Sequence, residues 1–456
     1  MAEGSLHDRL RRLRREPPPA GMVENPALQA LERSLLGDPG DGLSLKQRLE
    51  RLVAAAARSR RAPATVRPAA ASIEELVQGR RVENERGEYF VIETELPLEA
   101  FHGEVSLSRF RALPAGAVSI LTAEPGFEGF DLGRAVFLDT ETTGLAGGTG
   151  TAAFLIGVGF VAGDRFLVRQ YFMRDYHEEA ALLRGLAEDL APFSQVVTFN
   201  GRTFDMPLLE ARYRLNRDRY PLAEALHFDL LPPARRLWKA RLLSCRLQSL
   251  EAELLGLRRQ GDVPGEEIPR LYFDYVRRRD GRALVRVLEH NRMDVVSLAA
   301  LSVLACQWVD QGWAEDPRDV YSLARVFEVA RLFERSTEQY RRVVEAEPGP
   351  LRAHALLRLA ARARGGGDEA AAAELWAQAA EEGDWRALRA LAVYHEHRRR
   401  DLTAALSAVD EGLMRLADSS GPGLHRAEAD FRRRRRRILL KQGGRLPANG
   451  GPRAEL

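Results

Sequence analysis

Short apolar runs, each followed by turn-forming residues, predict the strands of a sheet. The first three lie near residues 135–139, 153–160 and 165–172. Runs of this length bounded by Gly, Asn or Thr are typical of buried strands. A further β-prone run, 195–199, ends at Asn200-Gly201 before an amphipathic helical segment. Three strands before the first helix differ from a βαβ unit, in which a helix follows the first strand.

A long helix is predicted from Ala283 onward, where apolar residues recur at helical spacing. The recurring positions are Leu284, Val287, Leu288, Val295, Leu298 and Leu301. Asp294 lies within this apolar stripe, and His290 precedes it by four residues. Residues four apart differ by about 40° around a helix, so both side chains share one face. Because a carboxylate on a buried face needs a partner, this pair is a candidate for chemistry.

The carboxy-terminal part of the chain repeats at a fixed interval. Leu323, Leu357 and Leu391 are spaced by 34 residues, as are Ser336, Ala370 and Ala404. A 34-residue period of helix pairs resembles tetratricopeptide repeats, which predicts three pairs over residues 317–418. Stacked pairs share a core and leave a concave face. This stack fits a platform for a protein or nucleic-acid partner, and it fits a packing appendage equally well.

Length and composition indicate several domains. The 456 residues exceed what one core usually organises, and 45% of them are hydrophobic. Cys245 and Cys306 have neither metal-ligand spacing nor a secreted disulfide pattern, which predicts a reducing, cytoplasmic location. The amino terminus lacks an apolar signal core, and no uninterrupted apolar stretch approaches the roughly 20 residues that span a bilayer. We therefore expect no membrane association.

Basic residues are clustered although the net charge is only +3. Arginine clusters occur at residues 9–15, 58–61 and 432–437. Such clusters bind phosphate backbones, but each is also typical of solvated, disordered termini. The composition predicts a basic, flexible leader over 1–70, a small β-rich lead-in over 71–131, and a basic, disordered tail over 419–456.

Acidic residues in three short contexts provide the candidate chemistry. Asp139 and Glu141 come at the end of the first strand and, being two residues apart, point to the same side. Asp205 falls in the first turn of the helix after Asn200, and Asp294 lies on the long helix. Taken singly, Asp-x-Glu fits a polar strand end and Asp205 an ordinary helix start. A cluster of acids is costly unless cations neutralise it, and hard divalent cations prefer oxygen ligands.

In combination these contexts resemble the DnaQ-like, or DEDD, 3′-5′ exonuclease superfamily. The matching motifs are Asp139-Thr140-Glu141-Thr142-Thr143-Gly144, Asn200-x-x-x-Phe204-Asp205 and His290-x-x-x-Asp294. Further motifs at 227–231, 245–251 and 265–269 are similar to the YprB-type branch of bacterial predicted exonucleases. The resemblance implies an α/β ribonuclease-H-like domain over 132–310, a mixed sheet flanked by helices, followed by an all-α helical-repeat domain.

The resemblance also implies roles for individual residues. Two divalent cations, Mg²⁺ or Mn²⁺, would be held by Asp139, Glu141, Asp205 and Asp294. Substrate would be bound by Thr140, Thr142, Thr143, Gly144, Asn200 and Phe204. His290 would be the general base, although its spacing before Asp294 is the one that a tyrosine subclass uses, one residue shorter than in the histidine subclass. That role depends on whether His290 reaches the attacking water.

The segment 144–150 is glycine-rich but lacks the Gly-Lys-Ser/Thr ending of a nucleotide-binding loop. We interpret it as a connection between strands that lies close to the end of the substrate.

The function that the sequence favours is a metal-dependent 3′-5′ exonuclease acting on ends of DNA or RNA, with single-stranded ends as substrate. The repeats would then recruit a protein partner. The alternative is a catalytically silent protein that binds nucleic acid and serves as a scaffold. The presence of all four acids favours the enzyme, whereas no motif distinguishes DNA from RNA.

Overall fold

The computed structural model describes residues 69–114, 116–144, 150–346, 348–417 and 423–443. From Ala70 onward the described residues belong to one compact unit. Nearly all of the predicted leader lies outside the described residues, as do positions 145–149 of the glycine-rich segment and the last part of the tail.

The strands of the described residues follow the apolar runs of the sequence. They are β1 Arg80–Asn84, β2 Gly87–Pro97, β3 Phe101–His102, β4 Val105–Ser106, β5 Val136–Thr142, β6 Ala153–Ala162, β7 Arg165–Phe172, β8 Gln195–Thr198 and β9 Leu226–Asp229. One sheet has the order β1-β2-β7-β6-β5-β8-β9, and β3 pairs with β4 in a separate hairpin. Neighbours from β1 to β5 are antiparallel, whereas β5, β8 and β9 are parallel.

The helices cover the sheet and then continue as a separate layer of helices. They are α1 Ile73–Leu76, α2 Ala117–Thr122, α3 Glu179–Leu190, α4 Asp205–Leu215, α5 Leu231–Trp238, α6 Leu247–Leu250, α7 Ile268–Arg278, α8 Leu284–Gln311, α9 Pro317–Val329, α10 Phe333–Glu345, α11 Pro350–Gly365, α12 Glu369–Glu381, α13 Trp385–Tyr394, α14 Leu402–Ala417 and α15 Leu424–Lys441. This mixed sheet flanked by helices, with an all-helical carboxy-terminal region, confirms the predicted fold class.

The side chains of β5 point alternately to the two faces of the sheet, and the strand contributes both buried apolar residues and acidic residues. Phe137 is buried in one apolar cluster, whereas Val136 and Leu138 are buried in another. Successive side chains of a strand point to opposite faces, so Asp139 and Glu141 continue the face of Phe137. Helix α8 packs on this strand and on β6. The parallel strands β5, β8 and β9 end at the same edge, so residues that follow each of them meet there.

A glycine lets α8 approach the sheet at the level of the acids. A Cβ atom on Gly157 of β6 would lie 2.3 Å from Oδ1 of Asn291 and 2.9 Å from Cγ2 of Val295, both on α8. Real Cβ atoms do not make such contacts, so the absent side chain sets the distance between helix and strand.

Part of the predicted lead-in joins the main sheet. Its strands β1 and β2 extend the main sheet, because β2 pairs antiparallel with β7 over Phe90 to Pro97. Tyr89, Phe90 and Val91 of β2 are buried with α3 and β6 in one apolar cluster. Strands from both sides of the boundary predicted at 131 thus share one sheet, and the predicted domain limits stay predictions.

The helices after α8 form successive pairs in which each packs against the next, from α9 to α15. Their assignment to tetratricopeptide repeats stays a prediction. The predicted disordered tail is wrong for residues 424–441, because these form α15. Its Phe431 and Ile438 are buried in the apolar cluster to which α13 and α14 also contribute, and its Arg434 and Arg437 pair with the buried Glu396.

Among the described helices, α8 is long and apolar enough by composition to cross a membrane, with a mean hydropathy of 1.4 over its most apolar window. Buried positions make up 67% of that window, as in a core helix.

Candidate functional site

The carboxy-terminal half of β5 and the middle of α8 bring acidic residues together. Oxygen atoms of Glu141 and Asp294 and a ring nitrogen of His290 all lie within 4.8 Å of one another. His290 Nε2 is 3.7 Å from Glu141 Oε1 and 3.5 Å from Asp294 Oδ2. The Glu141 and Asp294 side chains are 13% and 15% exposed, so this group is accessible at one side. It has the donor set of a metal site.

Asp139 is oriented by a chain of amides. Asn291 Nδ2 donates to Asp139 Oδ2 at 2.8 Å and to the Asp139 carbonyl oxygen at 3.3 Å. Gln170 Nε2 in turn donates to Asn291 Oδ1 at 2.9 Å and to the Leu288 carbonyl oxygen at 2.8 Å. Asn291 is completely buried, so its hydrogen bonds are not exchanged with solvent. These bonds place the Asp139 carboxylate at a defined point beside α8.

Asp205 begins α4 and is linked to β5 through a threonine. Thr140 Oγ1 donates to Asp205 Oδ1 at 2.5 Å, so Thr140 orients the predicted third acid. The preceding turn is clamped by the buried Asp229 at the end of β9, which accepts from the backbone N–H groups of Asn200 at 2.7 Å and Arg202 at 3.2 Å. Asn200 has a positive φ of 68°, which asparagine tolerates better than most residues.

Burial and mutual repulsion raise the pKa values of these acids. Burial, together with the charges of Asp294, Glu141 and Asp205, holds the pKa of Asp139 well above its usual range. Burial and the charges of Asp294 and Asp205 do the same for the pKa of Glu141. Burial raises the pKa of Asp205 to about 6 despite the Thr140 hydrogen bond. Burial also raises the pKa of Asp294, opposed by Arg259 and His290. Added positive charge would therefore stabilise the ionised form of this cluster.

A segment between β9 and α7 supplies two residues that the sequence analysis missed. Asp262 Oδ1 lies 2.7 Å from His290 Nδ1. Arg259 pairs with Asp294 through Nη2, and its Nε donates at 2.8 Å to the fully buried Glu251. Neither residue lies in a periodic apolar pattern, and their role depends on which helix the segment meets, so no local signal could have identified them.

The remaining predicted substrate residues lie around the end of β5. Thr142 Oγ1 donates to the Gly144 carbonyl oxygen at 2.7 Å, and Thr143 Oγ1 accepts from the Ala152 N–H at 3.0 Å. These bonds shape both ends of the glycine-rich connection, whose positions 145–149 lie outside the described residues. The Phe204 side chain is 56% exposed directly before Asp205.

Comparison with known proteins matches this domain to a family. Residues 136–306 match the family model of the RNase H superfamily. This region is an RNase H superfamily domain. The uncharacterized protein YprB of Bacillus subtilis (strain 168) is 36% identical over 267 residues, which are 57% of this chain and 63% of that protein. The match thus spans less than two thirds of that relative.

The edge of the RNase H domain opens into a cleft of about 730 Å³. Asp139 and Asp294 line it together with Phe199 and Asn200, and the rest of its wall comes from α5 and the residues after it. That wall carries the cations Arg235, Lys239 and Arg246. A nuclease-type fold that acts on a polyanionic substrate needs acids that can bind metal ions. It also needs nearby cations that attract the phosphates of that substrate.

The donors of the RNase H domain fit divalent cations. Carboxylate oxygens and one imidazole nitrogen suit Mg²⁺ and Mn²⁺. The raised pKa values of Asp139 and Glu141 show the electrostatic cost of holding these acids together without added positive charge. Arg259 offsets part of this repulsion by pairing with Oδ1 of Asp294. The other carboxylate oxygen of Asp294, Oδ2, is directed toward His290.

Proposed function

We propose that this chain is a metal-dependent 3′-5′ exonuclease that hydrolyses phosphodiester bonds at single-stranded ends of DNA or RNA in the cytoplasm. The observation that carries the proposal is the convergence of Glu141, His290 and Asp294 within 4.8 Å, next to a cation-lined cleft that Asp139 and Asp294 also line. Asp139 and Asp205 complete the acidic set through their electrostatic coupling to this group.

Asp139, Glu141, Asp205 and Asp294 would hold two divalent cations. Such ions, when bound, supply positive charge that activates water and stabilises the leaving oxygen of an in-line displacement. His290 is the proton acceptor: with Nδ1 engaged by Asp262, Nε2 is directed at the acids and takes the proton of the attacking water. The new bond forms between water oxygen and phosphorus as the bond to the 3′ oxygen breaks.

Other predicted residues position the substrate. Thr140 orients Asp205, and the clamped turn at Asn200 lines the cleft. Phe204 presents an exposed ring beside the acids, suited to stacking on a terminal base. The helical repeats would recruit or position a partner, as tetratricopeptide-like repeats offer a concave surface.

The test is hydrolysis of end-labelled single-stranded DNA and RNA with Mn²⁺ or Mg²⁺ by the full chain. Label at the 5′ end should yield a ladder of shortening products, label at the 3′ end should be released as mononucleotide, and a closed circle should resist. Asp139→Asn and Asp294→Asn should abolish hydrolysis, whereas Asp274→Asn, at a partly exposed acid on α7, should not. Activity retained in either of the first two variants overturns the proposal, and a protein that binds the strands without cleaving them is the silent binding protein instead.

A further inference from the structure

The cationic wall of the cleft continues beyond the acids. Arg235, Lys239 and Arg246 are exposed on α5 and the segment that follows it. Among the described residues none of these three cations forms an ion pair with a carboxylate, so their charges remain available to a ligand. Many other arginines of this chain are paired, for example Arg212 with Glu179 and Arg241 with Asp319. An unpaired cationic row beside an acidic centre is thus a distinctive feature of this surface.

A second cavity, of about 560 Å³, lies on the other side of the same row. Arg235 and Lys239 line it as well, together with Arg236 of α5 and with Tyr321 and Arg325 of the first repeat helix, α9. Both cavities are of the size that binds small molecules or single nucleotide units. Because Arg235 and Lys239 line both, the two cavities are neighbours that share these cations.

The walls of the second cavity are held in a fixed relation. Helix α5 packs against α9, and Arg241 Nε donates at 2.5 Å to Oδ2 of Asp319, which is buried on α9. Trp238 of α5 also packs edge-on against Trp308 of α8, with ring centroids 5.7 Å apart. The RNase H domain and the first repeat therefore present one preformed surface.

The chemistry of this second cavity is that of a single-strand binder. It combines four cations with the ring of Tyr321, which is partly exposed and backed by Tyr340 at a centroid distance of 5.6 Å. Aromatic rings that stack on bases, beside cations that follow the backbone, are how proteins bind single strands without sequence preference. Arg325 contacts Glu328 of its own helix, which orients the guanidinium.

We propose that the two cavities form one track for a single-stranded nucleic acid. The end to be cleaved lies at Asp139 and Asp294, the phosphates that follow lie on Arg235 and Lys239, and a more distant nucleotide stacks on Tyr321 beside Arg325. The first repeat is thus part of the substrate site. An acidic peptide would suit the cations of the second cavity, but the sharing of Arg235 and Lys239 with the cleft that Asp139 and Asp294 line favours the strand. The inference rests on the proposed function.

The experiment compares kcat/KM of the full chain on single strands of about four and about twenty nucleotides, lengths that bracket the site sizes of single-strand binders. The longer strand should be hydrolysed more efficiently by about tenfold or more. In the variant Tyr321→Ala/Arg325→Ala the ratio of long to short should fall to near one. The matched control is Arg432→Ala/Arg433→Ala, which removes two exposed arginines from α15 and should keep the ratio.

A binding measurement separates failure of this inference from failure of the proposed function. Fluorescence anisotropy with Asp139→Asn as background reports affinity for the longer strand without turnover. Loss of affinity by about tenfold on adding Tyr321→Ala/Arg325→Ala, with a shallower salt dependence, supports the track even if no strand is cleaved. An unchanged length ratio and unchanged affinity overturn it. Arg325→Gln alone, with unchanged melting temperature, provides the same test if the double variant folds poorly.

Discussion

His290 Nδ1 and Asp262 Oδ1 lie 2.7 Å apart, on the side of the imidazole ring opposite Glu141 and Asp294. Asp262 thereby holds the ring so that Nε2 is directed at the acidic cluster. When the proton of the neutral imidazole is on Nδ1 and is donated to this carboxylate, Nε2 keeps a free lone pair. A general base requires such a lone pair. The hydrogen bond of His290 in turn lowers the pKa of Asp262, although burial alone would raise it.

Asp262→Asn should reduce kcat by roughly 100- to 1000-fold, within the range that a general base supplies, with little change in KM. An amide can turn its NH₂ toward Nδ1, which forces the hydrogen onto Nε2 and removes the base. Asp274→Asn is the control, because Asp274 is an acid of α7 paired only with its neighbour Arg277 among the described residues. Equal kcat in both variants would exclude a positioning role for Asp262.

Gly157→Ala should impair both stability and activity. The added Cβ would meet Asn291 and Val295, so α8 must move away from β6 and take Asp294 with it. Overpacking of this kind costs about 1–3 kcal/mol in the free energy of unfolding. Denaturant unfolding and initial rates measure the two effects. Gly129→Ala is the matched control, since nothing lies within 4 Å of its Cβ position; the same losses there would contradict the packing argument.

Divalent cations should raise the melting temperature of the wild type. Buried acids that repel one another gain most from an ion that binds the folded state, and binding at 100 times Kd adds about 2.7 kcal/mol. Asp139→Asn removes one of these charges, so its melting temperature without metal should be at least that of the wild type and should respond less to Mn²⁺. Thermal unfolding with and without Mn²⁺ measures both effects. An equal rise in the two proteins argues against Asp139 as a ligand, and Asp274→Asn should behave as wild type.

Glu396→Gln should destabilise the carboxy-terminal helices. The Glu396 side chain is fully buried and accepts from Arg434 at 2.9 Å, Arg437 at 2.8 Å and Lys441 at 2.8 Å, all on α15. Burial alone would raise the pKa of Glu396, but the hydrogen bonds from Arg437 and Lys441 lower it to about 2. The shift corresponds to roughly 3 kcal/mol of stability at neutral pH.

The pH dependence of that effect has a definite sign. Since the folded pKa lies below the unfolded value of 4.5, the contribution is present above about pH 5 and is lost as the pH falls through 4.5 toward 2. The difference in unfolding free energy between wild type and Glu396→Gln should therefore shrink in acid. Glu374→Gln, an exposed glutamate on α12, should change little at any pH. A difference that stays constant down to pH 3 would show that packing, not the charge, is lost.

The pattern of apolar and polar residues along the chain was sufficient to predict the strand and the helix on which the acids lie. The apolar run before Asp139 predicts β5, and the helical spacing of apolar residues predicts α8 with His290 and Asp294 on one face. Both patterns report which side of an element is buried, and that side is set by residues close in sequence. The sequence by itself therefore determined the RNase H-like fold class and the candidate acids.

Only the tertiary structure shows which residues from other segments contact β5 and α8. Asp262 and Arg259 reach α8 from an aperiodic segment, and Asn291 gains its role through Gln170 on β7. The arginine run of α15 lies on a packed helix, where Glu396 and Asp410 of other elements pair with Arg434, Arg437 and Arg435. Arg235 and Lys239 of α5 line a second cavity as well as the cleft, because α9 packs beside α5. Burial and charge pairing between distant segments leave no periodic signal, so these contacts appear only when the chain is folded.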